Sequence, residues 1–267
     1  MKKILFMLTT LLLSVLLISC GGSSNTYKFI IDEEYTSFIT MGTSADYPPY
    51  EWPMRDGNKT TRVCIDIEIA KLIAKELEMN LIVIDKGFDF LLEDLENGKV
   101  DFVIAGLSPT ADRAKIVDFS NVYYLAKQVV LVKESNLEKF SSIEALDKSS
   151  IRIGAQLGTI QQEILEDEFS NAHHHIIQNM QNLMMNLNDG QIDALIVEEP
   201  VANSYINQLN NLAISPILIG DPEGGNVAAV AKGNTQLLNA INKVIDELIT
   251  TGKIDEIITE MVNLNSN

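Results

Sequence analysis

A short pattern that occurs twice, 92 residues apart, limits the folds open to this chain more than any other feature. Residues 95–104 (LENGKVDFVI) and 187–196 (LNDGQIDALI) each combine a helix end, a glycine, an aspartate and a hydrophobic run. Glycine commonly follows the last turn of a helix, and a short apolar run after it is typical of a buried strand. Two copies so far apart are too few for a repeat array. The pattern therefore predicts two similar α/β lobes.

The elements around the first copy favour the same fold class. Apolar runs of strand length at 38–42, 81–84 and 100–105 alternate with helical patterns at 66–78 and 90–97. Such alternation is typical of α/β proteins with mostly parallel sheets.

The chain is expected to cross between the two lobes twice, near residues 129–133 and again near 220–230. Its C-terminal helices would then belong with the first lobe. The predicted bounds are 35–130 together with 224–267 for lobe 1, and 131–223 for lobe 2. Because ligands of open α/β sheets bind at the carboxyl ends of the strands, a polar cleft between the lobes could close on a small molecule.

The N-terminus has the form of a secretory signal over residues 1–19. Two lysines precede an apolar stretch at 4–18, which is shorter than the roughly 18–20 residues that span a bilayer. Residues 17–20 resemble a bacterial lipobox, which implies acylation of Cys20 and lipid anchoring to a bacterial membrane, in the periplasm or at the cell surface. We predict a flexible tether at 20–34. A plain signal peptide or an uncleaved anchor is the alternative.

Composition excludes several classes of function. A formal net charge of −17 argues against a nucleic-acid partner, because binding phosphates requires clustered Lys and Arg. Two cysteines exclude a disulfide framework and a four-thiolate zinc site. The consecutive His173, His174 and His175 point in different directions and rarely ligate one metal ion together. We therefore predict no metal site and no cofactor.

Arg113, which follows the strand in the first copy, is a candidate for binding a carboxylate. Thr110 could cap a short helix that turns Arg113 toward the cleft. The planar guanidinium of arginine matches a carboxylate in two parallel hydrogen bonds. The alternative is a surface arginine paired with Asp112 or Asp118.

Lobe 2 offers a second polar region. Thr159 and Gln162 form a capping-box pattern, so that a helix begins there and its first free amides, at Ile160 and Gln161, would attract an anion. Glu198, at the opposite strand end, could hold a cation such as an ammonium group. Plain structural capping and a solvated carboxylate are the alternatives.

Five segments of the chain resemble the bacterial solute-binding proteins of family 3, which serve polar amino-acid ABC importers. These segments are 42–52 (GTSADYPPYEW), 64–70 (CIDIEIA), 98–120, 156–159 and 193–202. The similarity runs in order from about residue 38 to 264. It implies a type II periplasmic-binding-protein fold, with two α/β lobes joined by a two-strand hinge. The expected partners are a free amino acid and a membrane permease, and we expect a monomer.

The resemblance also implies a set of ligand-binding positions. Matched by motif, they are Tyr47, Phe88, Ala105, Gly106, Ser108, Arg113, Thr159, Ile160, Gln161 and Glu198. Arg113 would bind the α-carboxylate together with backbone amides at 108 and 159–160. Glu198 would bind the α-ammonium with the Ser108 hydroxyl and the carbonyl of residue 106, and two aromatic rings would enclose the ligand's side chain.

Three positions depart from the family pattern. Ser44 stands where members that prefer basic or amide side chains often have Asp, although Asp46 could substitute, so we expect a small or neutral amino acid. Glu198 stands where many relatives have Asp, which moves the ammonium site about one methylene further into the cleft. Cys64 replaces a glycine and is expected to be a buried filler.

Two other functions remain open from the sequence. One is an enzyme of the prephenate or arogenate dehydratase kind, in which Glu198 would be the general acid. The other is a signalling or adhesive surface lipoprotein. We expect a binding protein and not an enzyme, since the ammonium group of the ligand already requires Glu198.

Overall fold

The computed structural model describes residues 25–50, 53–56, 59–62, 64–221 and 224–265. The predicted signal peptide, Cys20 and the start of the tether lie outside these ranges. The strands are β1 (Asn25–Phe29), β2 (Phe38–Thr43), β3 (Pro53–Asp56), β4 (Lys59–Arg62), β5 (Asn80–Asp85), β6 (Phe102–Val103), β7 (Val117–Phe119), β8 (Tyr124–Leu125), β9 (Gln128–Lys133), β10 (Arg152–Gln156), β11 (His173–Ile177), β12 (Ala194–Glu198), β13 (Leu212–Ile214), β14 (Gly225–Asn226) and β15 (Ala229–Ala231). The helices are α1 (Ile65–Glu76), α2 (Leu91–Glu96), α3 (Ile143–Leu146), α4 (Ile160–Glu168), α5 (Met180–Asp189), α6 (Glu199–Leu209), α7 (Thr235–Thr250) and α8 (Lys253–Asn265). Within the ranges given, none of the helices has the length and apolar character needed to cross a membrane.

Lobe 1 is built on a six-stranded sheet in the order β1-β5-β2-β6-β15-β7. Successive strand residues point to opposite faces, so in β6 the buried Phe102 joins the cluster under α1, α7 and α8, whereas Val103 joins Leu91 and Leu95 of α2. Both faces of this sheet are therefore covered by helices. β6 has only two residues, shorter than the strand predicted at 100–105.

Lobe 2 is built on a five-stranded sheet in the order β11-β10-β12-β9-β13. One face packs with Leu165 of α4 and with Phe140 and Phe169, all of which are fully buried. The other face packs with α5 and α6 through a second cluster that includes Leu183 and Val201. This sheet, too, is covered by helices on both sides.

Both sheets are mixed, whereas the sequence predicts mostly parallel ones. β2 runs parallel to β5 and β6, and β10 runs parallel to β11 and β12. However, β9 is antiparallel to β12 and β13, and β15 is antiparallel to β6 and β7. β9 and β15 are the first strands of each sheet after the chain has crossed between the lobes, so they enter their sheets from the opposite end.

The two crossings lie side by side. One runs from β7 to β9 through β8, the other runs from β13 to β15 through β14, and β8 pairs with β14 in antiparallel register. Two short paired strands thus link the sheets of the two lobes.

The sequence repeat is confirmed as a structural repeat. Gly98 and Gly190 follow α2 and α5 with φ values of +67° and +75°, a conformation that glycine adopts without strain. Asp101 then accepts the backbone N–H of Thr40 at 2.7 Å, and Asp193 accepts that of Arg152 at 2.9 Å. In each lobe the repeated aspartate therefore fixes the start of a neighbouring strand.

The tether predicted at 20–34 is ordered from Asn25 onward. Residues 25–29 form β1, which pairs antiparallel with β5 at the edge of the lobe 1 sheet. Asn80 Oδ1 accepts the backbone N–H groups of Ile31 at 2.7 Å and Asp32 at 3.3 Å. The local sequence predicted a flexible segment, but residues 25–29 are held in place by their pairing with β5, which lies about 50 residues further along the chain.

Leu165→Ala tests the lobe 2 core. Leu165 is fully buried, and truncating such a leucine lowers the free energy of unfolding by about 2–5 kcal/mol. Leu218→Ala is the matched control, because Leu218 is 93% exposed and should change stability by no more than about 0.5 kcal/mol. Chemical denaturation followed by circular dichroism measures both variants. Equal stability of the two would contradict the core described above.

Candidate functional site

A cavity between the two lobes brings most of the predicted site residues together. It holds about 320 Å³ of space between atoms, part of it open to solvent. Its lining residues are Ser44, Asp46, Tyr47, Phe88, Ala105, Gly106, Ser108, Arg113, Gln156, Thr159, Ile160 and Gln161. Nine of the ten predicted ligand-binding residues are in this set, and Glu198 is not.

Arg113 is directed into the cavity by the local turn that precedes it. The backbone N–H of Arg113 donates to Thr110 Oγ1 at 3.2 Å. However, the residue that directly precedes the single 3₁₀ turn at Arg113–Lys115 is Asp112, and its side chain makes no capping hydrogen bond. The alternative surface pairing does not occur, because Asp112 pairs with Lys115 and Asp118 pairs with Lys232.

The Arg113 guanidinium joins both lobes. Nη1 donates to the Ser108 carbonyl in lobe 1 at 2.6 Å, and Nη2 donates to the Gly158 carbonyl in lobe 2 at 2.9 Å. The Phe88 ring centroid lies 5.5 Å from Cζ. Among the described residues, no carboxylate forms an ion pair with Arg113. Burial lowers the pKa of Arg113, an effect that Glu163 opposes, and a guanidinium remains charged in proteins.

The lobe 2 wall of the cavity is the start of α4. Thr159 Oγ1 accepts from the Gln162 N–H at 3.4 Å, which confirms the predicted cap, and Gln162 Oε1 accepts from the Gly158 N–H at 2.9 Å. The first amides of a helix have no partner within it, and they carry its partial positive charge. Thr159 and Ile160 both line the cavity, so this wall suits an anionic group.

Tyr47 lines the lobe 1 side of the cavity. Its ring stacks on Tyr50, with centroids 5.8 Å apart and planes inclined by 15°. Its hydroxyl accepts from the Glu198 backbone N–H at 3.3 Å and from Gln161 Nε2 at 3.4 Å. Tyr47 therefore also contacts lobe 2 directly.

Glu198 is fully buried. Its Oε2 accepts from Asn226 Nδ2 at 3.3 Å, while Oε1 forms no hydrogen bond within the described part of the chain. Burial raises the pKa of Glu198 to about 7, against the opposing effects of Tyr50, Asn226 and Gln128. Tyr50 is close enough to lower this pKa, yet its hydroxyl makes no hydrogen bond of normal geometry among the same residues. Glu198 thus behaves as a partly satisfied carboxyl near the crossing strands.

Asp66 is a supporting residue that the sequence argument missed. It lies fully buried in the first turn of α1. Its Oδ2 accepts the Gly106 N–H and its Oδ1 accepts the Tyr123 hydroxyl, both at 2.8 Å. Burial and, to a smaller extent, the charge of Glu198 raise the pKa of Asp66. Asp66 therefore fixes the loop that carries Gly106; its only sequence signal was an acid between two isoleucines of an apolar helix face.

Gln156 also lines the cavity without having been singled out. It is the last residue of β10, and the rule that ligands bind at the carboxyl ends of strands would have selected it. Ser44 and Asp46, weighed earlier only for side-chain preference, complete the wall.

Two of the three histidines of β11 make local contacts. His174 Nε2 lies 2.8 Å from the Phe169 carbonyl oxygen, and His175 Nε2 lies 3.0 Å from Asn186 Nδ2. The described ranges contain no group of three or more His, Cys, Asp or Glu side chains arranged to hold a metal ion.

Comparison with known proteins gives a family match across most of the chain. The model of the "bacterial extracellular solute-binding proteins, family 3" matches residues 39–263. The arginine-binding extracellular protein ArtP of Bacillus subtilis is 31% identical over 261 residues, which cover 96% of each chain.

Solved structures agree in fold. The amino-acid ABC transporter substrate-binding protein AbpA of Streptococcus pneumoniae, bound to L-arginine, superposes with a TM-score of 0.83 at 32% identity, over 86% of this chain and 97% of that one. An ancestral arginine-binding protein bound to glutamine gives a TM-score of 0.74 at 32% identity, over 84% and 97% of the two chains.

Glu198→Gln tests the buried carboxyl. Since the pKa rises from 4.5 to about 7 in the native state, the native protein holds an extra proton between these pH values. The free energy of unfolding should therefore fall as pH rises through this window, by about 3 kcal/mol at most. The variant should lose this part of the pH dependence between about pH 4.5 and 7, as measured by urea denaturation.

The exposed Glu96 supplies the matched control as Glu96→Gln. This control should keep the wild-type pH dependence, because it leaves the buried Glu198 carboxyl in place. If Glu198→Gln also kept the wild-type pH dependence of the free energy of unfolding, the Glu198 carboxyl would not be a group that binds a proton in the native state. Asp66 affects the pH dependence of stability in the same direction in all three proteins. The effect of Glu198 is therefore the difference between the proteins.

Proposed function

Since the chain belongs to the bacterial extracellular solute-binding proteins of family 3, we propose that it binds a zwitterionic L-amino acid for an ABC importer. Its fold is the type II periplasmic-binding-protein fold, and members of this family act outside the cytoplasm. The observation that carries the proposal is the buried Arg113, which faces the interlobe cavity and has no carboxylate partner among the described residues.

The two charged ends of the ligand have separate partners. The α-carboxylate would bind Arg113 and the first amides of α4, because both are positive and both border the cavity. The α-ammonium would face the Gly106 carbonyl and the Ser108 hydroxyl. Glu198 Oε1, a buried acceptor without a hydrogen-bond partner among the described residues, would accept from the ammonium once the ligand enters.

Closure follows from this division. We propose that lobe 1 (35–130 with 224–267) and lobe 2 (131–223) move about the paired strands β8 and β14. A ligand that contacts both lobes binds the closed form better, and that difference in affinity shifts the population toward closure. The closed protein would then present the amino acid to the membrane permease as a monomer.

The side chain of the ligand would lie between Tyr47 and Phe88, with Gln161 and Ala105 at its border. Ser44 offers a hydroxyl instead of a carboxylate at the position that often selects basic ligands. This favours a small or neutral amino acid, although relatives named above bind arginine. We propose no enzymatic step, because the ammonium of the ligand would already occupy Glu198, the general acid that a dehydratase would need.

Arg113→Ala tests the proposal. A thermal-shift screen of the twenty amino acids should identify ligands that raise the melting temperature of the purified protein, since binding to the native state stabilises it. Calorimetry should then show that Arg113→Ala weakens the best ligand by about 30-fold to several thousand-fold, because the ligand carboxylate is left buried and unpaired.

Arg152→Ala is the matched control. Arg152 pairs with Asp193 at 3.1 Å and does not line the cavity, so its loss should leave the affinity unchanged. An affinity of Arg113→Ala close to that of the wild type, or no wild-type response to any of the twenty amino acids, would refute the proposed site.

We propose further that Cys20 anchors the protein by lipid at the outer side of a bacterial membrane. Cys20→Ser should release the protein from the membrane fraction and abolish labelling by a clickable fatty acid in producing cells. Cys64→Ser is the control: this thiol is buried, so the variant should remain labelled and membrane-bound. Membrane retention of labelled Cys20→Ser would rule out this anchor.

A further inference from the structure

Asp46 belongs to lobe 1, but most of its hydrogen-bond donors come from lobe 2. Its Oδ2 accepts the backbone N–H of Met180 at 2.8 Å and the side-chain amide of Asn179 at 3.1 Å. Gln156 Nε2 lies 3.4 Å from Oδ1 and 3.5 Å from Oδ2. The carboxylate thus connects the end of β2 with two elements of the opposite lobe.

The Met180 amide is one that α5 cannot satisfy by itself. Met180 is the first residue of this ten-residue helix, and the first amides of a helix have no partner inside it. The N-cap residue Asn179 uses its Oδ1 for the N–H of Asn182 at 2.9 Å. Asp46 therefore supplies from lobe 1 an acceptor for the first amide of a lobe 2 helix, where a negative charge is also favoured by the helix dipole.

The Asp46 carboxylate has no capacity left for a ligand. Besides the three donors from lobe 2, the Ser44 hydroxyl donates to Oδ1 at 3.1 Å, and a carboxylate offers about four acceptor sites. Burial raises the pKa of Asp46, against the hydrogen bonds from Met180, Ser44 and Gln156. A basic ligand side chain could use this carboxylate only by breaking contacts that hold the lobes together.

We propose that Asp46 is a positioning residue: it latches the closed lobes by capping α5 from the opposite lobe, and it is not the counter-ion of a basic ligand. The closure that it stabilises is the one described under the proposed function, on which this inference rests. The latch is independent of the ligand's side chain, so it contributes equally to the binding of every amino acid that closes the cleft.

Asp46→Ala is the direct test. The change removes the acceptor of the Met180 amide and of the Asn179 side-chain amide when the lobes close, whereas water satisfies these donors when the lobes open. Gln156 Nε2 keeps its bond to the Gln178 carbonyl at 2.9 Å. We expect the affinity for every amino acid that binds to fall by the same factor, about tenfold or more, mainly through faster dissociation in stopped-flow measurements. A loss confined to arginine and lysine, or no loss, would overturn the latch.

Two further variants define the origin of the effect. Asn179→Ser keeps an N-cap residue for α5 but removes one donor to Asp46, and it should weaken all ligands by a common, smaller factor. Asp89→Ala removes an exposed bond between the lobes, from Gln178 Nε2 to Asp89 Oδ1 at 2.7 Å, and should weaken binding by at most about fivefold. A larger loss in Asp89→Ala than in Asp46→Ala would contradict the proposal.

The Met180 amide itself gives a readout that separates the latch from ligand binding. In protein labelled with ¹⁵N-methionine, hydrogen exchange at Met180 should be slower in the wild type than in Asp46→Ala, because among the described residues Asp46 is the acceptor of this amide. The comparison uses saturated protein if an amino acid binds and free protein otherwise. Failure of the whole amino-acid screen refutes the proposed function, whereas equal exchange at Met180 in the two proteins refutes the latch.

Discussion

A buried guanidinium without a carboxylate partner among the described residues is the constraint on which the site depends. Removing a charge from water costs several kcal/mol unless it is paired and hydrogen-bonded. Arg113 meets this requirement only in part, through the carbonyls of Ser108 and Gly158. These two carbonyls come from opposite lobes, so the environment of Arg113 exists only where the lobes meet. An anionic group that entered the cavity would supply the missing partner of this charge.

The fold brings this environment together by its topology. Parallel strands present their carboxyl ends at one edge of each sheet, and the two crossings β8 and β14 turn these edges toward each other. Residues far apart in sequence then share one cavity, such as Ser108 at the end of one repeat and Gln156 at the end of β10. Asp66, 40 positions from Gly106 in the chain, fixes the loop that carries Gly106. The cleft is therefore a consequence of sheet order, and the supporting shell comes from a neighbouring helix.

Local sequence signals predicted contacts within a few residues of each other. They failed where burial or strand pairing depends on residues far away in the sequence. Thr159 caps α4 as predicted, and Thr110 accepts the N–H of Arg113, because such contacts depend on atoms three residues away. The burial of Glu198 could not be predicted, since its neighbours Asn226 and Tyr50 come from other elements of the fold. The order of residues 25–29 likewise depends on pairing with β5. Nothing near these residues in the sequence carries that information, and the roles of the cavity residues still rest on the family pattern.

Lobe 2 turns the starts of two helices toward lobe 1, and the closed form treats them differently. At α5 the first amide is capped by a carboxylate of the protein, Asp46. At α4 the corresponding wall lines the cavity beside Arg113, and no carboxylate of the described residues pairs with that arginine. A ligand carboxylate at α4 would therefore make the interaction that Asp46 already makes at α5. The first bond joins Asp46 of lobe 1 to α5, and the second would join a ligand held by lobe 1 to α4. Both would be lost when the lobes open. The Asp46 carboxylate would therefore favour closure whether or not a ligand is bound, whereas the ligand carboxylate would make closure depend on the ligand.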